Sequence, residues 1–205
     1  IHNTRQVHGD NIIQAKECLQ NFPVVADAII SDQKKQSLWI YSADCIPVLI
    51  ADKVKGIVSA CHAGWRGVAN RIVVKTITTL ESLGSNKSDL IITMGPAISG
   101  EEYQVELEVA KNIFTSLFKE GTMTRNKLKN YIDHLILLKI VTENINKKRV
   151  KVDIKISLKN QLINFGLKRK QINICPLCTY SEKSLFHSRR REKGENIQWS
   201  GIASR

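Results

Sequence analysis

One cysteine and two histidines stand in three separate segments, each beside a turn signal: Gln6-Val7-His8-Gly9, Ala43-Asp44-Cys45-Ile46-Pro47 and Cys61-His62-Ala63-Gly64-Trp65-Arg66-Gly67. Two imidazoles and a thiolate are the donor set of a catalytic zinc site, which takes three protein ligands and leaves a fourth position for water or substrate. Taken singly, each has a plainer reading: a histidine before glycine is a turn residue, and Cys45 in an apolar run is a small buried hydrophobe. Their neighbours change the weighing. Residues 56–61 read as a buried strand, and the turn after it gathers an imidazole, an arginine and a tryptophan around two glycines, a strand end of the kind that carries chemistry. Gly64 and Gly67 allow positive φ or close backbone approach, and the turn leads into an expected helix whose first amides would favour an anion. His62 and Arg66 would then sit near that helix start.

The elements that must position these residues follow from hydrophobic period and breakers. Residues 38–51 form a long apolar stretch interrupted at Asp44-Cys45 and Pro47, which suits a strand, a bend that exposes Asp44 and Cys45, and a second strand. Val73, Ile77 and Leu80 recur at helical spacing up to Gly84, and residues 90–94 read as the next strand. After the Gly95-Pro96 turn, Val105, Val109 and Ile113 predict an amphipathic helix through about Phe118, with Tyr103 at its entrance. Residues 131–138 fit a strand or a helix. Asp153 is placed to cap a helix carrying Leu158, Leu162 and Phe165 and stopped by Gly166, and residues 172–174 read as a short strand.

Length and composition bound the rest. A chain of 205 residues fits one domain, here residues 1–205, with enough length to bury a proper core. Five cysteines, an odd number, suit a reducing compartment, so a cytoplasmic protein is expected. No apolar run reaches membrane-span length, and no membrane partner is expected. The first residue is Ile rather than Met, and an N-terminal segment is expected to precede it. The formal charge of +12 raises a nucleic-acid reading, but much of the excess lies in Lys147-Lys148-Arg149, Lys168-Arg169-Lys170 and Arg189-Arg190-Arg191 with few aromatics between them. Charge runs of this kind are read as solvated surface, and no nucleic-acid partner is expected. Cys175-Pro176-Leu177-Cys178 has the spacing of a zinc knuckle or redox dithiol, yet no second pair completes a structural zinc site, and Cys18 is isolated.

In chain order, Gln6-Val7-His8-Gly9, Asp44-Cys45-Ile46-Pro47-Val48-Leu49, His62-Ala63-Gly64-Trp65-Arg66-Gly67, Gly95-Pro96-Ala97-Ile98 with Tyr103-Gln104-Val105, and Cys178-Thr179 with Phe186-His187-Ser188-Arg189-Arg190 resemble one family. It is the laccase-domain family, also called the multicopper polyphenol oxidase or peptidoglycan editing factor family, whose members are described as purine nucleoside phosphorylases. The resemblance spans nearly the whole chain, and His-Ala-Gly-Trp-Arg-Gly is its most specific part. It implies an α+β fold, an α/β/β/α sandwich with mixed β-sheets. It further implies zinc on His8, Cys45 and His62, with Cys45, His62 and Arg66 in the catalytic centre. Phosphorolysis of adenosine, inosine and S-methyl-5′-thioadenosine is the implied activity, with adenosine deamination beside it, in a monomer. The chain departs from the family over residues 121–149 and at Gly194-Glu195, where members carry Gly-Arg.

The two reactions ask for different groups. Deamination needs a metal-activated water and a proton-transfer group, for which Asp44 is nearest in sequence. Phosphorolysis needs an anion site, for which Arg66 and Arg189 are candidates through bidentate guanidinium geometry, with amides of the 64–67 turn assisting and Tyr103 as a further substrate contact. Two histidines and a cysteine also describe a blue-copper centre, so Cu(2+) is the alternative metal and a polyphenol oxidase the alternative enzyme. A laccase would need many more histidines, and only His2, His134 and His187 remain beyond His8 and His62. A third alternative is a peptidoglycan precursor editing factor acting on no nucleoside.

Overall fold

A computed structural model describes residues 1–18, 24–118, 130–146 and 148–205. Its main sheet has six strands in the order β1-β2-β5-β4-β6-β10: β1 (Ile12–Gln14), β2 (Ala28–Ile30), β5 (Val58–Ala63), β4 (Ile46–Asp52), β6 (Leu90–Met94) and β10 (Ile172–Ile174). The two outer pairs are parallel and the three central ones antiparallel, so the sheet is mixed, as the expected class requires.

Side-chain alternation divides the core in two. On β4, Ile46, Val48 and Ile50 face one side and Leu49 and Ala51 the other; on β5, Cys61 and Ala63 oppose Val58 and Ala60. The first side is covered by α1 (Trp65–Ala69) and α2 (Ile72–Ser82), which bury Val68, Ile72, Val73, Ile77 and Leu80. Each such aliphatic side chain contributes roughly 1.5–3 kcal/mol of burial. The second side is covered by a two-stranded antiparallel ribbon of β3 (Ser37–Ser42) and β11 (Gln198–Ala203), with Leu38 and Ile40 packed inward. Trp39 and Trp199 stand on the outer face of the ribbon.

A smaller sheet, β7-β9-β8, extends the helical side: β7 (Gln104–Glu106), β9 (Arg149–Val152) and β8 (Val141–Asn146), with α3 (Leu107–Ser116) and α4 (Tyr131–Leu137) against it. Two expectations change here. Val105 is not helical: it pairs with Val150 in β7, and the helix starts at Leu107 and ends at Ser116 rather than about Phe118. A three-residue strand is too short to show its own period, and the helical spacing of Val109 and Ile113 absorbed Val105. The ambiguous stretch at 131–138 is a helix over Tyr131–Leu137. Lys147 and residues 121–129 of the segment that departs from the family lie outside the described residues.

The helix α5 (Ile154–Asn164) is bounded as its sequence predicts: the Asp153 carboxylate accepts from the Ile156 N–H at 2.8 Å, and Gly166 follows it at φ 102°. Its buried Gln161 amide donates to the carbonyls of Val68 and Ser116, which ties α5 to α1 and α3. That tie fixes the short helix bearing Arg66. No helix among the described residues is long and apolar enough to cross a membrane.

Candidate metal centre and cationic chamber

His62 lies on β5 opposite Pro47 of β4, and Cys45 immediately precedes β4, so the antiparallel pair brings thiol and imidazole together. His8 comes from the turn before β1. Its segment is anchored by the Gln6 side-chain amide, which donates to the Tyr41 carbonyl at 2.7 Å and accepts from the Tyr41 N–H at 2.9 Å. The ligand atoms of His8, Cys45 and His62 lie within 4.8 Å of one another, and the two imidazole rings meet edge to face with centroids 4.8 Å apart. Zinc–ligand bonds of about 2.0–2.3 Å span such a triangle, so the donor set and its spacing fit zinc. The trio is the one group of this kind among the described residues. His134 caps its own helix turn and His187 pairs with Glu192, so neither adds to a histidine-rich copper cluster.

Electrostatics support the thiolate. Burial alone would push the Cys45 thiol up, but hydrogen bonds and charge from His62 and His8 outweigh it and bring it down to about 7. Burial would likewise push His62 down, but the Asp27 carboxylate and Cys45 raise it to about 9. Asp27, directly before β2, was not foreseen from sequence: it bonds the His62 Nδ1 at 2.8 Å through a carboxylate with no solvent exposure. Burial would raise that carboxyl too, but the bonds from His62, Gly9 and Val7 hold it below its ordinary value.

The two glycines of the His62 turn serve by close approach rather than by positive φ. Gly64 has φ −74°, and a Cβ built there would lie 2.8 Å from the Cys45 Sγ and 3.1 Å from the His8 ring. The helix that follows is only five residues long, and side-chain cations stand near it.

Those cations line a cavity of about 400 Å³ that opens on His8 and Cys45, with Arg66, Arg189, Arg190 and Lys193 on its wall beside Trp65 and Tyr103. Arg66 stacks on Trp65 at 4.5 Å and Arg190 on Tyr103 at 5.1 Å. Burial, then the nearby Cys45 charge, pushes the Tyr103 phenol well above its ordinary value. Arg189 also lines a second, smaller cavity that includes His62, Ser42 and Glu195, and its guanidinium donates to the Gly194 carbonyl rather than to a carboxylate. Arg189 and Arg190 are exposed, as a solvated charge run would be, but both also line the wall of a cavity. Arg191 is spent on the carbonyls of Thr179, Tyr180 and Phe186, which fold the preceding loop beneath α6 (Arg189–Glu192).

The bend does not expose Asp44, which is buried, and leaves Cys45 half-buried; at φ 86° Asp44 has both oxygens engaged, Oδ1 accepting from the Thr179 hydroxyl at 2.6 Å and Oδ2 from the Arg190 N–H at 2.8 Å. It holds α6 to the cavity. The structure thus brings together every residue singled out in sequence for the site, and adds Asp27, Arg190 and Lys193. Arg190 stood within a quoted motif, while Asp27 and Lys193 carry no local signal. Cys178, outside the cavity wall, accepts from the Ser99 N–H at 3.3 Å, and Lys155 donates to the carbonyls of Cys175 and Leu177.

Comparison with known proteins identifies the family and the fold. A family model described as multi-copper polyphenol oxidoreductase laccase matches residues 1–202. A protein of Synechocystis named purine nucleoside phosphorylase is 39% identical over 209 residues, covering 98% of this chain and 78% of that protein. The Bacillus subtilis purine nucleoside phosphorylase YlmD is 34% identical over 172 residues, and the match spans 82% of this chain and 55% of that protein. Among solved structures, YlmD from Geobacillus stearothermophilus superposes with a TM-score of 0.84 at 25% identity, covering 100% of this chain and 73% of that one. YfiH from Bacillus licheniformis does so with a TM-score of 0.82 at 26% identity. The chain belongs to the multi-copper polyphenol oxidoreductase laccase family.

Proposed function

We propose that this chain is a zinc-dependent purine nucleoside phosphorylase that splits adenosine, inosine or S-methyl-5′-thioadenosine with phosphate into free base and ribose 1-phosphate or its methylthio analogue. The observation that carries this reading is the placement of Arg66, Arg189, Arg190 and Lys193 on the wall of the same cavity as His8 and Cys45. Guanidinium groups offer paired N–H donors to phosphate oxygens, and holding the anion against the ribose carbon converts a bimolecular attack into a local one. Trp65 and Tyr103 line that cavity and offer aromatic surface against which a purine can pack. Tyr103 stays protonated, so its phenol donates a hydrogen bond rather than accepting a proton. Asp44 keeps the Arg190 backbone, and so α6, against the cavity. A zinc ion held by His8, Cys45 and His62 would supply Lewis-acid polarisation of a substrate atom. The names of the relatives point the same way.

Adenosine deamination is proposed as a second activity of the same site. One incubation separates the two: purified zinc-loaded protein with adenosine, with and without phosphate, resolved for adenine, inosine and hypoxanthine. Adenine formed only with phosphate supports phosphorolysis, and inosine formed without phosphate supports deamination. A folded, zinc-loaded sample that forms neither product refutes both.

A further inference from the structure

We infer that Asp27 is a positioning residue shared by two of the three metal ligands, one carboxylate fixing both the backbone that carries His8 and the ring of His62. The inference rests on the metal reading of the His8–Cys45–His62 trio. Asp27 has no solvent exposure and is set beside His62 by the antiparallel pairing of β2 with β5, in which the His62 N–H also donates to the Asp27 carbonyl at 2.7 Å.

Four donors converge on this carboxylate. Its Oδ2 accepts from the N–H groups of Val7 at 3.1 Å and Gly9 at 2.7 Å, and its Oδ1 from the N–H of His8 at 2.9 Å and the His62 Nδ1 at 2.8 Å. Three successive backbone N–H groups closing on one anion form a nest, and here the nest bends the chain so that His8 takes φ 60°. A carboxylate only accepts, so the His62 Nδ1 carries the proton and Nε2 is left for the metal. The ligands so joined lie on segments far apart in the chain: Asp27 reaches back 19 residues to His8 and forward 35 to His62. Cys45 needs no such clamp, because the strand pair of β4 and β5 already places it.

The arrangement has a property that separates a positioning role from mere filling of space. An asparagine at this position has one acceptor oxygen, and whichever way its amide turns, the NH₂ meets the N–H donors of Val7 and Gly9 or that of His8 with the His62 Nδ1, which could accept only by moving its proton to Nε2, the nitrogen the metal needs. Asp27→Asn keeps the shape and removes the convergence.

The test uses the full chain. Zinc affinity is measured by chelator competition, and the cobalt-substituted protein is examined at saturating metal, where thiolate charge-transfer and d–d bands report the ligand geometry. Asp27→Asn is expected to weaken zinc binding by about 10–100-fold and to shift the d–d bands while the Cys45 charge-transfer band persists. Asp27→Glu, which keeps the buried charge but moves it by one methylene, is expected to fall between; it carries the comparison where Asp27→Asn does not fold. A folded Asp27→Asn protein that holds zinc within about twofold of the unaltered chain, with an unchanged cobalt spectrum, overturns the assignment. Zinc binding is read without any nucleoside, so loss of the phosphorylase reading and loss of this one give different results. An unaltered chain that binds no zinc overturns the trio and Asp27's role together.

Discussion

His62 lies on a strand buried at every position and its ring is held by a carboxylate with no exposure, whereas Arg189 and Arg190, on the wall of the cavity that opens on His8 and Cys45, are exposed on a four-residue helix. The metal half is set by strand pairing and the Asp27 nest. The α6 part of the cationic half is tied to Asp44, through the Thr179 hydroxyl and one backbone N–H, while Arg66 is carried on α1. The difference follows from what each half would hold. A metal ion demands donor atoms within a few tenths of an ångström, while phosphate is bound by several long side chains that can each adjust. Changes in the metal half should therefore act all or none, and changes in the cationic half by degree.

The largest effect is expected from Cys45→Ala, which should abolish stoichiometric zinc in metal analysis and all nucleoside turnover with it; zinc retained at one per chain would break the comparison at its root. Next comes Gly64→Ala. The backbone there suits alanine, so the cost arises only from the Cβ at 2.8 Å from the Cys45 Sγ. Zinc affinity should drop at least about tenfold, roughly 1.4 kcal/mol, in a protein of near-unchanged melting temperature. Arg66→Ala should leave zinc content intact and raise the KM for phosphate about tenfold, a graded loss that steady-state kinetics over a phosphate series would reveal. An effect on zinc instead of phosphate would show that the halves are not separable.

The smallest effect lies outside both halves, at Asp52, whose carboxylate accepts from the N–H groups of Val54 and Lys55 at 2.9 Å. Burial would raise this carboxyl, but those bonds outweigh it and lower it from 3.8. A carboxyl lowered on folding stabilises fully above that ordinary value and loses the contribution as pH falls through the folded one. Asp52→Asn should then cost about 1 kcal/mol at neutral pH by urea unfolding, with the two stabilities converging in acid. A gap that widens in acid would contradict the sign.

The candidate trio of His8, Cys45 and His62 was legible because each member sits in a local signal, a strand end, a Gly-containing turn or a break in an apolar run, and because those signals fall in motifs that resemble one family. The helix at 154–164 was legible for the same reason, with its cap and stop adjacent in sequence. Asp27 was not, because its partners lie 19 and 35 residues away and nothing beside it in the chain marks it. Arg189 was named as a phosphate candidate from its guanidinium chemistry, whereas Arg190 was hidden inside a basic run read as solvated surface; both are exposed, yet the folded loop turns them along a cavity wall. Val105 was lost to a helical period that continued past the strand boundary.

The alternation that divides the core has one more consequence, for which of two adjacent ligand-type residues the site receives. Cys61 points to α2, where its thiol meets the Thr76 hydroxyl and burial pushes it up to about 11, while His62, one residue on, points to the opposite side. Parity on β5 acts as a selector. A slip of one residue against β4 would exchange the two, presenting the thiol where the imidazole belongs and driving an imidazole into the aliphatic helical core, so strand register is as much a part of the candidate metal centre as the ligands.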